Sequence, residues 1–395
     1  MYQKCFICMM IITMDVFVIF AMDQDLVRPI LPYQHVRLLQ NSFNKAVRGD
    51  VYSQKKNPDI IKEVGLQLRA TQMDVFADHR NVDAVWIYTI ISQDLSILDD
   101  FLAKDTKGYF DRSIVDVLKK YFSGEFKESL KAFSKINDKN NTQGITPYLY
   151  LLMGNATTPF DPQQASKLFD YVRLTSSGTF LEEISLRCLL EITKNQDGDD
   201  RVFSYIRSYI TQFYYSMYQN HFSSVLLHFL LHNQLRLTEE DIVFTMSFLS
   251  LKDQSAIYLK LARNAVISGK SKIGFLAIKQ LKKMSGILDY KDLTTVQLYE
   301  NILNIPFVDI IPLQRSTYNI PYDFLTQQDR HLKKYAEVIM SEMGKSLINI
   351  DFDHINKNFI SYKKEHEHMT LNIKPFIHKN IQKIKEIDHF LEDTR

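Results

Sequence analysis

Several short stretches of the 395-residue chain hold side chains able to react with something or to ligate it. The run SSGTFLEEISLRCLLEI, Ser176 to Ile192, sets Glu182 and Glu183 near Arg187 and Cys188. Paired carboxylates can work as general acid and base, and a thiol beside a cation can be a nucleophile. His228 and His232 are spaced i,i+4, which puts two imidazoles on one helical face as a zinc site requires. Glu128-Ser129 pairs a carboxylic acid with a hydroxyl, and a carboxylic acid can protonate a glycosidic oxygen. Gly269-Lys270-Ser271 and Gly344-Lys345-Ser346 end like phosphate-binding loops.

Each stretch also fits an element that needs no reaction. Thr179 lies three residues before Glu182, the spacing of a capping box, so the glutamates would occupy a first helical turn where the dipole favours negative charge. Glu183 and Arg187 then have the i,i+4 spacing of a weak ion pair, contributing roughly 0.3 kcal/mol, and are assigned to helix architecture. Leu181, Ile184, Cys188 and Ile192 fall on one face and Leu186 and Leu190 off it, so this helix is apolar around much of its circumference and belongs in a core. The histidines enclose Phe229, Leu230 and Leu231, without the glutamate of a metalloprotease helix. Glu365, His366, Glu367 and His368 are consecutive and point in different directions around a helix. A P-loop needs glycine five positions before its last glycine, and Asn264 and Ile339 stand there. Glu128-Ser129 sits in an ordinary amphipathic helix followed by NDKNNTQG, where helical lytic transglycosylases carry a Gly-Leu-Met-Gln region. No catalytic, cofactor-binding or metal site is expected.

The 48 basic and 46 acidic residues nearly cancel, so no global field points to nucleic acid or an anionic membrane. With 45% hydrophobic residues the chain can bury a sizeable core, and 12 Gly and 10 Pro are few for a turn-rich β protein. The start, MYQKCFICMMIITMDVFVIFAM, has one lysine and then an apolar run from Cys5 to Met22 broken by Thr13 and Asp15. It reads as a signal peptide over residues 1–22, with Ala21 as the cleavage position. Cys5 and Cys8 lie inside it, which leaves Cys188 alone and predicts a mature chain without an internal disulfide.

From Pro32 onward helical periodicity repeats. PYQHVRLLQNSFNKAVRGD places Val36, Leu39, Phe43 and Val47 on one face and ends at Gly49. GEFKESLKAFSKI resembles the second half of a tetratricopeptide (TPR) unit, and GKSKIGFLAIKQL repeats it loosely. The expectation is an all-α fold: an irregular, TPR-like antiparallel helical array over residues 30–303 with a C-terminal helical extension. Pro306, Pro312 and Pro321 make residues 304–323 a proline-broken linker. The segment 324–395 would carry stripes at Leu332, Tyr335, Ile339, Met343 and Leu347, then at Ile377, Ile381, Ile384 and Leu391.

The tracts PYQHVRLLQNSFNKAVRGD, DHRNVDAVWIYTIISQD and LTSSGTFLEEISLRC together resemble the MotC family of motility proteins of rhizobial-type α-proteobacteria. The resemblance covers roughly residues 30–260, and its most distinctive part is Pro162 through Arg187. It implies an exported, periplasmic, non-enzymatic protein required for flagellar rotation, whose partner is the periplasmic region of the stator protein MotB. An exported TPR-like scaffold unrelated to flagella is the alternative. On the motility reading the expected contact strip is Phe307, Ile310, Ile311, Leu313, Tyr318 and Tyr322, apolar residues on a proline-broken backbone; the alternative is that this strip packs back over the array.

Overall fold

The computed structural model describes residues 30–136, 144–193 and 201–348, with side chains to residue 344. The expected signal peptide at 1–22 and the second C-terminal stripe lie outside the described residues. Among those described there are seventeen α-helices and no strand. They are α1 (Pro32–Val47), α2 (Val51–Arg69), α3 (His79–Ser92), α4 (Ser96–Lys104), α5 (Arg112–Phe122), α6 (Phe126–Phe133), α7 (Thr146–Thr157), α8 (Pro162–Thr175) and α9 (Phe180–Thr193). There follow α10 (Arg201–Phe213), α11 (Gln219–His232), α12 (Glu239–Met246), α13 (Leu251–Ser268), α14 (Ser271–Lys283), α15 (Tyr290–Asn304), α16 (Ile310–Tyr318) and α17 (Gln327–Ile348). The fold is the all-α helical array expected.

Local chemistry explains where the helices begin and end. Pro32 opens α1, where its missing N–H is one of the unused donors of a first turn. Asp50, Asp111, Asp161, Ser250 and Asp289 each accept a backbone N–H at the start of the following helix. Gly124 (φ +79°) closes the α5–α6 hairpin and Gly269 (φ +65°) the α13–α14 hairpin, both in the left-handed conformation that glycine adopts without strain. The two stretches resembling the TPR motif are therefore the second helices of glycine-closed hairpins. Gly269-Lys270-Ser271 is the turn between two packed helices, and no strand precedes it.

The chain divides into two compact units, the first comprising residues up to Pro306 together with Ile320–Thr326, the second Phe307–Asn319 with Gln327 onward. In the first, α1 packs against α2 and α3, α7 against α8, and α13 against α14. Trp86, Phe76, Phe101 and Phe110 form an aromatic cluster at its N-terminal end, with ring centroids 4.9 to 5.4 Å apart. Such contacts add about 0.5–1.5 kcal/mol per pair beyond their burial.

In the second unit α16 packs on α17. The segment 304–323 is thus not irregular throughout, because it contains α16. Asp309 caps this helix by accepting from the Ile311 N–H, and Pro312 falls in the first turn, where no intrahelical donor is lost. The buried face of α17 is also displaced from the expected stripe. Asp329, Lys333, Ala336 and Met340 are buried, whereas Leu332 and Tyr335 are half-buried and Ile339 is exposed. The hydropathy pattern missed this because two of the inward positions are charged.

Candidate interaction surface

α9 lies at the centre of the first unit, packed by α1, α7, α8, α10 and α11. Its burial is nearly complete around the circumference, as expected of a core helix, although Ile184, Cys188 and Ile192 are only half-buried. The capping box read from Thr179 and Glu182 does not form. The Thr179 hydroxyl donates to the Ser176 carbonyl, and Glu182 accepts instead from the Gly178 N–H. The Phe180 N–H is satisfied across the fold by Asn44 Oδ1 of α1 at 2.9 Å, and Arg48 donates to the Gly178 carbonyl at 2.6 Å. A tertiary contact has taken over the role of the local cap.

Nor is the Glu183–Arg187 pair a surface pair. Glu183 is fully buried and Arg187 nearly so. Arg187 Nε donates to Glu183 Oε1 at 2.8 Å, and the Tyr209 hydroxyl of α10 donates to the same oxygen at 2.8 Å. Tyr209 also lies 3.0 Å from Ser216 Oγ, which accepts from the Tyr218 N–H, and the Tyr218 ring lies 3.7 Å beneath the Arg187 guanidinium. The circuit closes on itself and joins α9, α10 and the turn after α10. Burial opposes the charge on Arg187, but the adjoining Glu183 carboxylate outweighs it, so the guanidinium is held protonated more firmly than usual. Burial, then the neighbouring carboxylate, push the Tyr209 hydroxyl above its ordinary range. With Glu183 sealed from solvent, this arrangement locks elements together and does not present an acid to a substrate.

The other reactive stretches are separated by the fold. Ser129 is buried and donates to the Val117 carbonyl, while Glu128 faces outward and pairs with Lys131. The rings of His228 and His232 stack 6.0 Å apart on α11. Among the described residues no three His, Cys, Asp or Glu side chains converge as a metal site, and no helix is long and apolar enough to cross a membrane.

The six residues of the expected contact strip divide into two groups. On α16, Ile310, Leu313 and Thr317 are buried at i, i+3 and i+7. Phe307 (62% exposed), Ile311 (57%) and Tyr318 (75%) face outward. Tyr322 is exposed too and belongs to the first unit. The Lys333 ammonium of α17 donates to the Tyr318 carbonyl at 3.3 Å and pairs with Glu337 at 3.3 Å, placing a buried cation at the C-terminus of α16.

Two adjoining clefts run along α1. One of about 520 Å³ is lined by Leu38, Asn41, Asn44, Lys45, Arg48 and the start of α2. The other, of about 320 Å³, is lined by Arg37, Gln40 and the same Asn41 and Asn44, and reaches α7 and the start of α9.

The described residues form an all-helical array in which the Glu183–Arg187 pair is buried and structural and Ile311 and Tyr318 stand exposed on α16, which defines an all-α helical-array class of protein. The chain belongs to the MotC family: the profile described as "Chemotaxis protein MotC" matches residues 2–395. The match extends well beyond the tracts that carry the resemblance in the sequence. The chain is also 27% identical over 308 residues to the "Chemotaxis protein MotC" of Rhizobium meliloti (strain 1021), covering 78% of this chain and 71% of that one. No solved structure matches. Family and fold together make this a motility-associated helical protein.

Proposed function

We propose that the chain is a periplasmic motility protein required for flagellar rotation, acting by binding and stabilising the periplasmic region of the stator protein MotB. It works as a binding protein and not as an enzyme. The observation that carries the binding reading is the outward face of α16. Its aromatic and aliphatic residues are exposed, yet the helix beneath them is capped by Asp309 and held at its end by Lys333. Ordered apolar anchors of this kind lose little side-chain entropy on docking, and aromatic anchors dominate interface energetics. Phe307, Ile311 and Tyr318 are the contact residues, with Tyr322 a further exposed aromatic in the first unit; Ile310 and Leu313 support α16 from its buried side.

The test is co-purification of the chain with the MotB periplasmic region, for the natural sequence and for an Ile311→Ala/Tyr318→Ala double substitution. Retention of the first, and loss of at least about 2 kcal/mol of affinity in the second, is expected. Failure of the natural chain to retain the stator region at micromolar concentration refutes the partner. Normal swimming with assembled filaments after gene deletion refutes the motor role. Clearing on a peptidoglycan zymogram refutes the non-enzymatic reading.

A further inference from the structure

The groove along α1 has a chemistry that the α16 surface lacks. Arg37, Asn41, Asn44 and Arg48 are spaced i, i+4, i+7 and i+11, so they fall on one stripe of the helix and line the two clefts that share Asn41 and Asn44. At about 1.5 Å rise per residue the stripe is roughly 16 Å long, which spans about five residues of an extended chain.

Three cations, Arg37, Lys45 and Arg48, line the clefts, against one acid, Asp50. That acid is already engaged: its oxygens accept from the Tyr52 N–H, the Ser53 N–H and the Ser53 hydroxyl. Arg37 and Lys45 are exposed and make no ion pair among the described residues. Asn41 is exposed as well and has no hydrogen-bond partner among them, leaving an amide donor and acceptor side by side, which is what a peptide bond matches. Leu38 and Tyr52, both well exposed, give the larger cleft apolar walls.

We propose that this groove binds an extended acidic peptide segment of another protein, carrying an apolar side chain that sits between Leu38 and Tyr52. The carboxylates lie against Arg37, Lys45 and Arg48, and the backbone pairs with Asn41. A nucleic acid fits less well: three cations over roughly 16 Å neutralise few phosphates, and Tyr52 is the one aromatic ring among the described residues lining the larger cleft on which a base could stack. The inference concerns the first unit and stands independently of the MotB reading.

The test uses the full chain and three fluorescein-labelled probes: a ten-residue Glu-rich peptide with one central Leu, the same peptide with Lys for Glu, and a ten-nucleotide oligothymidylate. Anisotropy titrations should saturate with the acidic peptide at about 50 mM salt and weaken as salt screens the contacts. Arg37→Glu and Lys45→Glu should each lower affinity by about fivefold or more. Lys260→Glu, an exposed cation outside the groove, should leave it unchanged. Arg48 is not substituted, because it holds the Gly178 carbonyl. The proposal is overturned by no saturation below about 1 mM with natural circular dichroism, by equal binding of the basic peptide or the oligonucleotide, or by undiminished binding in both groove variants. An acidic peptide that fails to bind a chain still retaining MotB removes the groove inference alone.

Discussion

Replacing Arg187 by Met tests whether the buried charge circuit holds the first unit together. The substitution would leave the buried Glu183 carboxyl group with the Tyr209 hydroxyl as its one remaining donor, since Glu183 Oε2 has no hydrogen-bond partner among the described residues. Breaking a buried pair from one side costs about 3–5 kcal/mol. Against total stabilities of about 5–15 kcal/mol that is a large fraction. Removing both charges, as Glu183→Leu/Arg187→Met, should cost far less, because no uncompensated charge remains and Tyr209 keeps Ser216 as a partner at 3.0 Å. Tyr209→Phe removes one bond to a charged group, a loss of about 1.5–3 kcal/mol. Urea unfolding read by the fluorescence of Trp86, the single tryptophan of the chain and buried in the first unit, supplies the three free energies. A single Arg187→Met loss below about 1 kcal/mol, or a double variant no more stable than Arg187→Met alone, refutes the reasoning.

Three further predictions rest on separate features. Gly49 has φ +98°, and a Cβ there would lie 2.9 Å from the Tyr215 Cβ, whereas Gly269 at φ +65° has open space around it. Gly269→Ala should therefore lose only the left-handed backbone penalty of about 1–2 kcal/mol, and Gly49→Ala measurably more, in the same urea assay. Burial raises the hydroxyls of Tyr121, Tyr148, Tyr205 and Tyr258. The folded state thus keeps protons that the unfolded state releases above about pH 10, so stability falls as pH rises past that point, and tyrosinate absorbance should appear together with loss of helix. At Asp105 burial raises the pKa, but donation from the Phe110 and Tyr109 N–H groups outweighs it and the net shift is downward. Its contribution is therefore present above about pH 4 and lost as pH falls below it; Asp105→Asn should be less stable at pH 7 and converge on the natural chain at acid pH.

The helix boundaries were legible because their determinants are local. Pro32 and Gly49 act within one turn of their own positions: α1 opens at Pro32, and Gly49 follows its end at φ +98°. Burial was less legible, because it depends on neighbours that no local window contains. The Glu183–Arg187 spacing was visible, but the partners that make it a closed circuit lie 26 to 35 residues further on, at Tyr209, Ser216 and Tyr218. The cluster YYSMYQN, Tyr214 to Asn220, was the available signal: four aromatic or hydroxyl residues in a turn have more hydrogen-bonding capacity than a solvent-facing loop requires.

α16 and α17 show the same limit from the opposite side. Three prolines made residues 304–323 read as broken chain, although Pro312 stands in a first helical turn, where no intrahelical donor is lost, and Asp309 caps that turn at the Ile311 N–H. On α17 the expected stripe took in Ile339 and passed over Lys333, whereas in the fold Ile339 is exposed and Lys333 buried. A lysine can lie inward when its four-carbon stem packs and its ammonium finds acceptors, here the Tyr318 carbonyl and the Glu337 carboxylate. The terminal carbonyls of α16 need a donor, and that need is a property of a different helix. The same cation underlies the surface: Lys333 meets the Tyr318 carbonyl from inside while its ammonium lies 6.0 Å from the centroid of the Tyr318 ring, which is exposed.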